Sequence, residues 1–268
     1  MRAREALADA AARFASDTPR LDAELLLAHA LGIERAALLL DLDRDVPAAF
    51  EGLVARRARH EPVAYLTGSR GFWTIDLAVG PGVLVPRADS ETLIEAAVEH
   101  FAGTAGPARV LDLGTGSGAL LLAALDQWPA ATGVGIDASP AALRIASDNA
   151  DRLGMSARAV IRAGGWEGTG EAFDLVLCNP PYIAEGIALP REVVEHEPAA
   201  ALFAGPDGLD DYRRIAPLLR GQLAPGGLAA VEIGHDQGES AAALFRNQGL
   251  AVTVRPDLGG RARALAVT

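Results

Sequence analysis

Apolar residues recur along this chain in two rhythms, and the change from one to the other divides it. Over the first sixty residues they return every three or four positions among charged ones, which predicts short amphipathic helices at 4–15, 21–31, 35–40 and 47–60, punctuated by Gly32 and Pro47. This stretch has neither a glycine loop nor a strand to carry one, so it cannot hold a nucleotide by itself; it reads as a stabilising cap or as a substrate-docking module. From Pro62 to Arg87 the pattern shifts to β-type residues and glycines. Trp73 to Val79 alternate, a Gly-Pro-Gly turn follows at 80–82, and Val83-Leu84-Val85 come next, so a β-hairpin linker is expected. Asp89 or Ser90 is placed to cap a helix running through Leu93, Ile94, Ala97 and Val98 to about His100. Beyond Gly106, strand-like runs near 109–113, 132–136, 158–162, 173–178, 228–233, 251–255 and 263–267 alternate with helical ones. Such alternation predicts an α/β fold with a mostly parallel, doubly wound sheet. The expected organisation is a helical domain at 1–61, a hairpin linker at 62–88 and an α/β domain at 89–268.

Ligands of doubly wound sheets sit at the carboxyl ends of strands, where strand order reverses. Two motifs fall at such ends. Gly114-Thr115-Gly116-Ser117-Gly118 follows the first strand of the α/β region and opens a helix, so its backbone can approach a ligand closely and the helix N-terminus favours an anionic group. Asn179-Pro180-Pro181-Tyr182 follows the fourth. There the Asn179 side chain offers one carbonyl acceptor and the Pro180 main chain another, and neither proline carries a backbone donor. Two acceptors on a stiff turn suit one NH2 group and leave its lone pair aimed in the remaining direction. Tyr182 is placed to cover the planar group by stacking. In isolation such a turn could equally be a stiff end to a strand; its position after a cofactor motif favours the clamp.

The glycine spacing alone does not choose a cofactor. The dinucleotide fingerprint needs a third glycine where this chain has Ala119, a tolerated variant. Asp137 ends the next strand, where a carboxylate can accept from ribose hydroxyls in NAD and S-adenosylmethionine sites alike. The clamp decides, because hydride transfer has no evident use for two acceptors that grip an NH2, whereas methyl transfer to an amine or amide does. Asp112 is a further candidate near the cofactor's amino-acid end or, equally, a local cap. Trp166, in Gly164-Gly165-Trp166-Glu167, is placed to flank an adenine or to fill core.

Composition narrows the alternatives. At 268 residues and 50% hydrophobic, the chain can build one large domain and a small one. It has no apolar run of membrane-spanning length, and the sequence from Met1-Arg2-Ala3-Arg4-Glu5 is charged and alanine-rich rather than signal-like, so a cytoplasmic enzyme is expected. Cys178, the single cysteine, excludes an internal disulfide and a thiolate cluster. The histidines show no ligand spacing, and no metal is expected. A net charge of −11, with arginine as the sole basic residue type besides histidine, provides no global field for nucleic acid. A monomer is expected.

Further stretches add a resemblance. Glu61-Pro62-Val63-Ala64-Tyr65-Leu66-Thr67-Gly68, Phe72-Trp73, Leu84-Val85-Pro86-Arg87, the glycine loop, Asn179-Pro180-Pro181-Tyr182-Ile183 and Glu232-Ile233-Gly234 before Gln237-Gly238 together resemble the protein-(glutamine-N5) methyltransferases, most closely those acting on bacterial peptide chain release factors. The resemblance implies a seven-stranded class I S-adenosylmethionine methyltransferase domain behind a small helical domain. It implies cofactor contacts from Gly114, Thr115, Gly116, Ser117, Gly118, Asp137, Trp166 and Asn179, and substrate contacts from Asn179, Pro180, Pro181 and Tyr182. The implied substrate is the glutamine of a Gly-Gly-Gln loop in class I release factors. Two departures stand out: the acidic residue that commonly precedes the tryptophan is Gly165 here, and the usual Arg-Pro-Asp-Thr-Glu reads Arg87-Ala88-Asp89-Ser90-Glu91. Alternatives are a ribosomal-protein glutamine as substrate, an adenine-N6 DNA methyltransferase, or a non-catalytic cofactor-binding module.

Overall fold

The computed structural model describes residues 2–268. They form two compact units, the first comprising the chain up to Ser69 together with Leu189–Glu197, the second Arg70–Ala188 with Pro198–Thr268.

The first unit contains α1 (Ala3–Ala12), α2 (Pro19–Leu31), α3 (Arg35–Leu40), α4 (Ala49–Arg57) and α5 (Val63–Thr67). Helix α2 opens on Pro19, whose missing N–H costs nothing in a first turn, and closes on Gly32 at φ 66°, a left-handed conformation glycine adopts without penalty. Leu7, Leu26, Leu27, Leu38, Phe50 and Val54 are buried together as the core. A charged pair lies in the same unit. Arg57 is 6% exposed and puts Nη2 2.8 Å from Asp22 Oδ2, while Nη1 is 2.7 Å from Glu192 Oε2. Glu192 belongs to the 189–197 segment, so this guanidinium ties a stretch that follows the Asn-Pro-Pro-Tyr turn in sequence to the helical core.

The second unit opens with a two-stranded sheet of β1 (Ser69–Phe72) and β2 (Ile75–Ala78). The expected hairpin is therefore displaced. Trp73 is not strand but turn, at φ 54°, with its N–H held by Glu91 Oε1 at 2.9 Å, and Val83-Leu84-Val85 are not strand at all. Prolines on both sides, Pro81 and Pro86, remove ladder donors from that stretch. Strand β2 packs against the helices Ala119–Gln127 and Pro140–Arg152. A short 3-10 turn, Ala88–Ser90, then leads into α6 (Glu91–His100). Ser90 makes no side-chain cap; its backbone is already helical, and its hydroxyl is engaged elsewhere.

The main sheet has seven strands: β3 (Arg109–Leu113), β4 (Thr132–Asp137), β5 (Ala159–Ala163), β6 (Phe173–Cys178), β7 (Leu223–Glu232), β8 (Val252–Pro256) and β9 (Ala262–Val267). Their order is β5-β4-β3-β6-β7-β9-β8, parallel except for β9, which runs antiparallel to β7 and β8. The mostly parallel seven-stranded sheet agrees with the sequence pattern; β7 starts earlier than expected, where Gly226 and Gly227 let the chain bend beside Phe173. Helices α7 (Ala119–Gln127), α8 (Pro140–Arg152), α10 (Asp210–Leu219) and α11 (Gly238–Arg246) flank it, while α9 (Arg191–His196) belongs to the first unit. Leu111, Phe173, Val176, Tyr212, Val231 and Phe245 mark the core. Gly133 and Gly135 on β4 allow α7 to approach: a Cβ at Gly133 would meet Leu121 Cδ1 at 2.5 Å. The chain order switches between β3 and β6, so the carboxyl ends of β4, β3 and β6 share one crevice. Among the described residues no helix is long and apolar enough to cross a membrane.

Candidate active site

The glycine loop leaves β3 by turning over the end of β4. Gly114 N and Thr115 N both donate to Ile136 O at 2.9 Å, and Gly114, Gly116 and Gly118 take φ of 71°, 56° and 84°. Asp137 braces the loop from the neighbouring strand. Its Oδ2 accepts from Gly116 N at 2.9 Å and its Oδ1 from Ser139 N at 2.8 Å, so one carboxylate fixes both the glycine loop and the start of α8. Beneath the loop Asp112 is fully buried; Oδ2 accepts from Thr115 Oγ1 at 2.6 Å and from Leu121 N at 3.2 Å, while Oδ1 has no partner. Burial pushes its carboxyl up to about 7, and the nearby Asp137 charge adds to the rise.

Trp166 lies against this loop. Its Nε1 donates to Asp211 Oδ1 at 3.0 Å, its carbonyl accepts from Gln222 Nε2 at 2.7 Å, and a Cβ on Gly114 would come within 3.3 Å of its ring. Next to it, Gly165 N donates to Glu167 Oε1 at 3.3 Å.

The loop, Asp137, Trp166 and the turn after β6 border one cavity of about 480 Å³. Of the residues expected from sequence, Gly114, Thr115, Gly116, Ser117, Asp137, Trp166, Asn179 and Pro181 line it. Gly118, Pro180 and Tyr182 do not. Gly118 precedes α7 and packs under Leu122 and Ala146. Pro180 is buried. Tyr182, expected to stack over a planar ligand, instead packs against the sheet core and donates from Oη to Glu232 Oε1 at 3.1 Å; its carbonyl accepts from Gln237 Nε2 at 2.8 Å. Burial and the Glu232 charge raise its phenol far above the ordinary range, so the ring anchors the turn as a neutral donor. Phe72, Val83, Leu84 and Pro86 supply an apolar wall, which gives the stretch after β2 a role its sequence did not announce.

By motif Ser90 was offered only, with Asp89, as a helix cap, and Glu232 only as part of the Glu232-Ile233-Gly234 stretch. Ser90 lines the cavity and its Oγ accepts from Asn179 Nδ2 at 3.2 Å, across 89 positions of sequence. With its nitrogen so engaged, Asn179 has its amide oxygen free to accept. Glu232 ends β7 on the same edge of the sheet, and burial raises it to about 7.

The two raised carboxyls have a consequence for stability. Asp112 and Glu232 hold protons in the folded state that an unfolded chain, with carboxyls near their ordinary values, releases as pH climbs toward 7. The folded form therefore binds more protons in this window, and their contribution to stability is lost as pH rises through about 7. Asp112→Asn, which keeps an acceptor for Thr115 and Leu121, is expected to flatten the decline in melting temperature between about pH 4 and pH 7. Parallel thermal melts of the two proteins check this.

Comparison with known proteins agrees with the geometry. Residues 5–68 match the model for the PrmC N-terminal domain, and residues 88–200 that for the methyltransferase small domain. A methyltransferase from Pyrococcus furiosus superposes with a TM-score of 0.54 at 16% identity, covering 72% of this chain and 87% of that one. The ribosomal protein L11 methylase of Lactobacillus delbrueckii superposes with a TM-score of 0.51 at 19% identity over 71% and 83% of the two chains. Fold and site together define a class I methyltransferase. Among sequence relatives, a release factor glutamine methyltransferase of Rhodospirillum rubrum is 45% identical over 93% of this chain and 78% of its own. One of Cereibacter sphaeroides is 45% identical over 99% and 98%. The chain belongs to the release factor glutamine methyltransferase family.

Proposed function

We propose that this enzyme transfers the methyl group of S-adenosylmethionine to the side-chain amide nitrogen of the glutamine in the Gly-Gly-Gln motif of class I peptide chain release factors, and so modulates translation termination. The observation that carries the reading is Asn179, whose amide borders the cavity of the glycine loop with its nitrogen already bound by Ser90.

The residues present fit the cofactor. The cavity of about 480 Å³ is of ligand size, exposes glycine backbone at the N-terminus of α7, and has a carboxylate and an indole on its rim. In this reading the Gly114-Thr115-Gly116-Ser117 backbone holds the amino-acid part, Asp137 takes the ribose hydroxyls and Trp166 flanks the adenine, while Gly118 shapes the turn into α7. S-adenosylmethionine, when bound, supplies an electrophilic methyl on a sulfonium.

The chain's own task is to prepare the amide. A primary amide nitrogen is a weak nucleophile because its lone pair is delocalised into the carbonyl, the resonance that gives a peptide bond a rotation barrier of roughly 18–20 kcal/mol. Asn179 Oδ1 and the carbonyl of Pro180, on the peptide that joins it to the cavity-lining Pro181, accept its two N–H bonds, which points the lone pair toward the methyl and favours the rehybridised transition state over the flat ground state. No general base is needed to begin, because the nitrogen proton becomes acidic only as the methyl is transferred. Pro181 stiffens the turn, and Tyr182 ties it to the sheet. The helical unit docks the release factor, and the enzyme acts as a cytoplasmic monomer on protein rather than nucleic acid, in keeping with its net charge of −11.

Transfer of radiolabel from S-adenosylmethionine to a release factor tests this. Label is expected on the wild-type factor and absent when the Gly-Gly-Gln glutamine is changed to glutamate; equal labelling of both contradicts the reading. The loop gives a second expectation. Gly114→Ala places a side chain at φ 71° and 3.3 Å from the Trp166 ring, which costs about 1–2 kcal/mol of backbone strain. It should weaken S-adenosylhomocysteine binding by about tenfold, equivalent to 1.4 kcal/mol, in calorimetric titration.

A further inference from the structure

Glu232 is buried behind the clamp at 1% exposure, and no step of methyl transfer calls for its carboxylate. It is nonetheless held with care. Tyr182 Oη donates to Oε1 at 3.1 Å, Tyr212 Oη donates to the Glu232 carbonyl at 3.0 Å, and Oε2 has no partner. The Ser90 side chain faces the same carboxylate and favours its charged form. Ser90 is itself 4% exposed and accepts from Asn179 Nδ2 at 3.2 Å.

A serine hydroxyl has a single hydrogen, whereas an ionised carboxylate can only accept. When Glu232 takes the Ser90 hydrogen, Ser90 can offer Asn179 nothing but a lone pair. Asn179 must then turn its NH2 toward Ser90 and keep its oxygen for the cavity. Were the Ser90 hydrogen free to point at Asn179, the amide could sit reversed and present donors to a substrate NH2, which they would repel.

We propose that Glu232 is a positioning residue that sets the polarity of the clamp: through Ser90 it fixes the Asn179 amide with its oxygen toward the substrate nitrogen, and through Tyr182 it anchors the same turn. The proposal rests on the reading of Asn179 as the amide clamp. Protonation would turn Glu232 into a donor and release the constraint. The groups that face it are Asp89 and Ser90 ahead of α6, Cys178 on β6, Tyr182 after it, Tyr212 on α10 and Arg263 on β9. Burial raises the carboxyl to about 7, Asp89 pushes the same way, and Ser90, Tyr182 and Arg263 oppose them, so the active carboxylate form is lost as pH falls through that value.

The test compares Ser90→Ala, Ser90→Thr, Glu232→Gln and Ser90→Ala/Glu232→Gln with wild type, using release factor as substrate and S-adenosylhomocysteine as the binding probe. Ser90→Ala and Glu232→Gln are each expected to lower kcat by about tenfold or more, with the dissociation constant for S-adenosylhomocysteine within about twofold. Ser90→Thr, which keeps the hydroxyl, should recover most of the turnover. The double variant should be no worse than the poorer single one, as members of one relay are not additive. Wild-type kcat should rise with pH through about 7, and Glu232→Gln should lose that limb. Unchanged kcat in Ser90→Ala, parallel loss of kcat and binding, or a pH limb that survives in Glu232→Gln overturns the proposal. Should Glu232→Gln fail to fold, the Ser90 pair decides. Asn179→Ala in the same assay separates the two claims: if it is inactive while Ser90→Ala is not impaired, the relay falls and the clamp stands; if it retains full turnover, both fall.

Discussion

Asn179→Ala is expected to lower kcat by about 10²–10³-fold, the loss seen when one preorganised hydrogen-bonding group is removed from a transition-state site. S-adenosylhomocysteine affinity should stay within about threefold, since in the proposed reading the glycine loop, Asp137 and Trp166 supply the other cofactor contacts, and each is braced independently of Asn179. The braces are specific: Gly116 and Ser139 amides on Asp137, and Asp211 and Gln222 on Trp166. Stopped-flow turnover and calorimetric titration of one preparation check both halves. Comparable losses in both would make Asn179 a cofactor contact and no more. Asn179→Asp offers a finer comparison, because it keeps an acceptor but replaces the amide nitrogen that Ser90 receives, so part of the loss should persist.

The second large effect lies in the helical unit. Arg57→Ala leaves Asp22 as a buried charge without its partner, because the Arg57 Nε and Nη2 both bind Asp22 Oδ2, at 2.9 and 2.8 Å. Breaking a buried pair in this way costs about 3–5 kcal/mol. Glu192 is 40% exposed in its side chain and can be solvated when Arg57 is gone, so Asp22 carries most of the penalty. Removing both charges, as Asp22→Leu with Arg57→Met, should recover much of the loss, because well-packed apolar replacements of a buried pair are often neutral. Urea unfolding of the three proteins distinguishes this from a simple loss of packing, in which the double variant would be the least stable. Hydrogen exchange in 189–197 should also rise in Arg57→Ala, since Glu192 loses its tie to α4.

What could be read from the sequence divides along physical lines. The strands of the main sheet were legible because parallel strands covered on both faces are short apolar runs, and Val110-Leu111, Leu175-Val176-Leu177 and Ala229-Ala230-Val231 are such runs, all fully buried. The glycine loop and Asn179 were legible because they end strands whose carboxyl edge is where a doubly wound fold gathers ligands. The hairpin was misplaced because Trp73, a strong β-former, sits at φ 54° with its N–H fixed by Glu91, a contact no local pattern shows. Tyr182 was read as a stacking ring because aromaticity says nothing of direction; its hydroxyl found Glu232 instead. Ser90 was offered, with Asp89, as a helix cap from its place before an apolar run, yet its hydroxyl's partner lies 89 residues away. Glu232 gave one usable signal, an acid at the carboxyl end of a strand, but its burial and its link to Ser90 needed the fold.

The most direct test of the account offers the enzyme its alternatives together. The protein is incubated with S-adenosylmethionine, unmethylated release factor, a ribosomal protein mixture and duplex DNA, and every added methyl is located by fragmentation mass spectrometry. The account predicts one methyl, on the side-chain nitrogen of the Gly-Gly-Gln glutamine; a methyl found only on another protein's glutamine or on DNA adenine contradicts it.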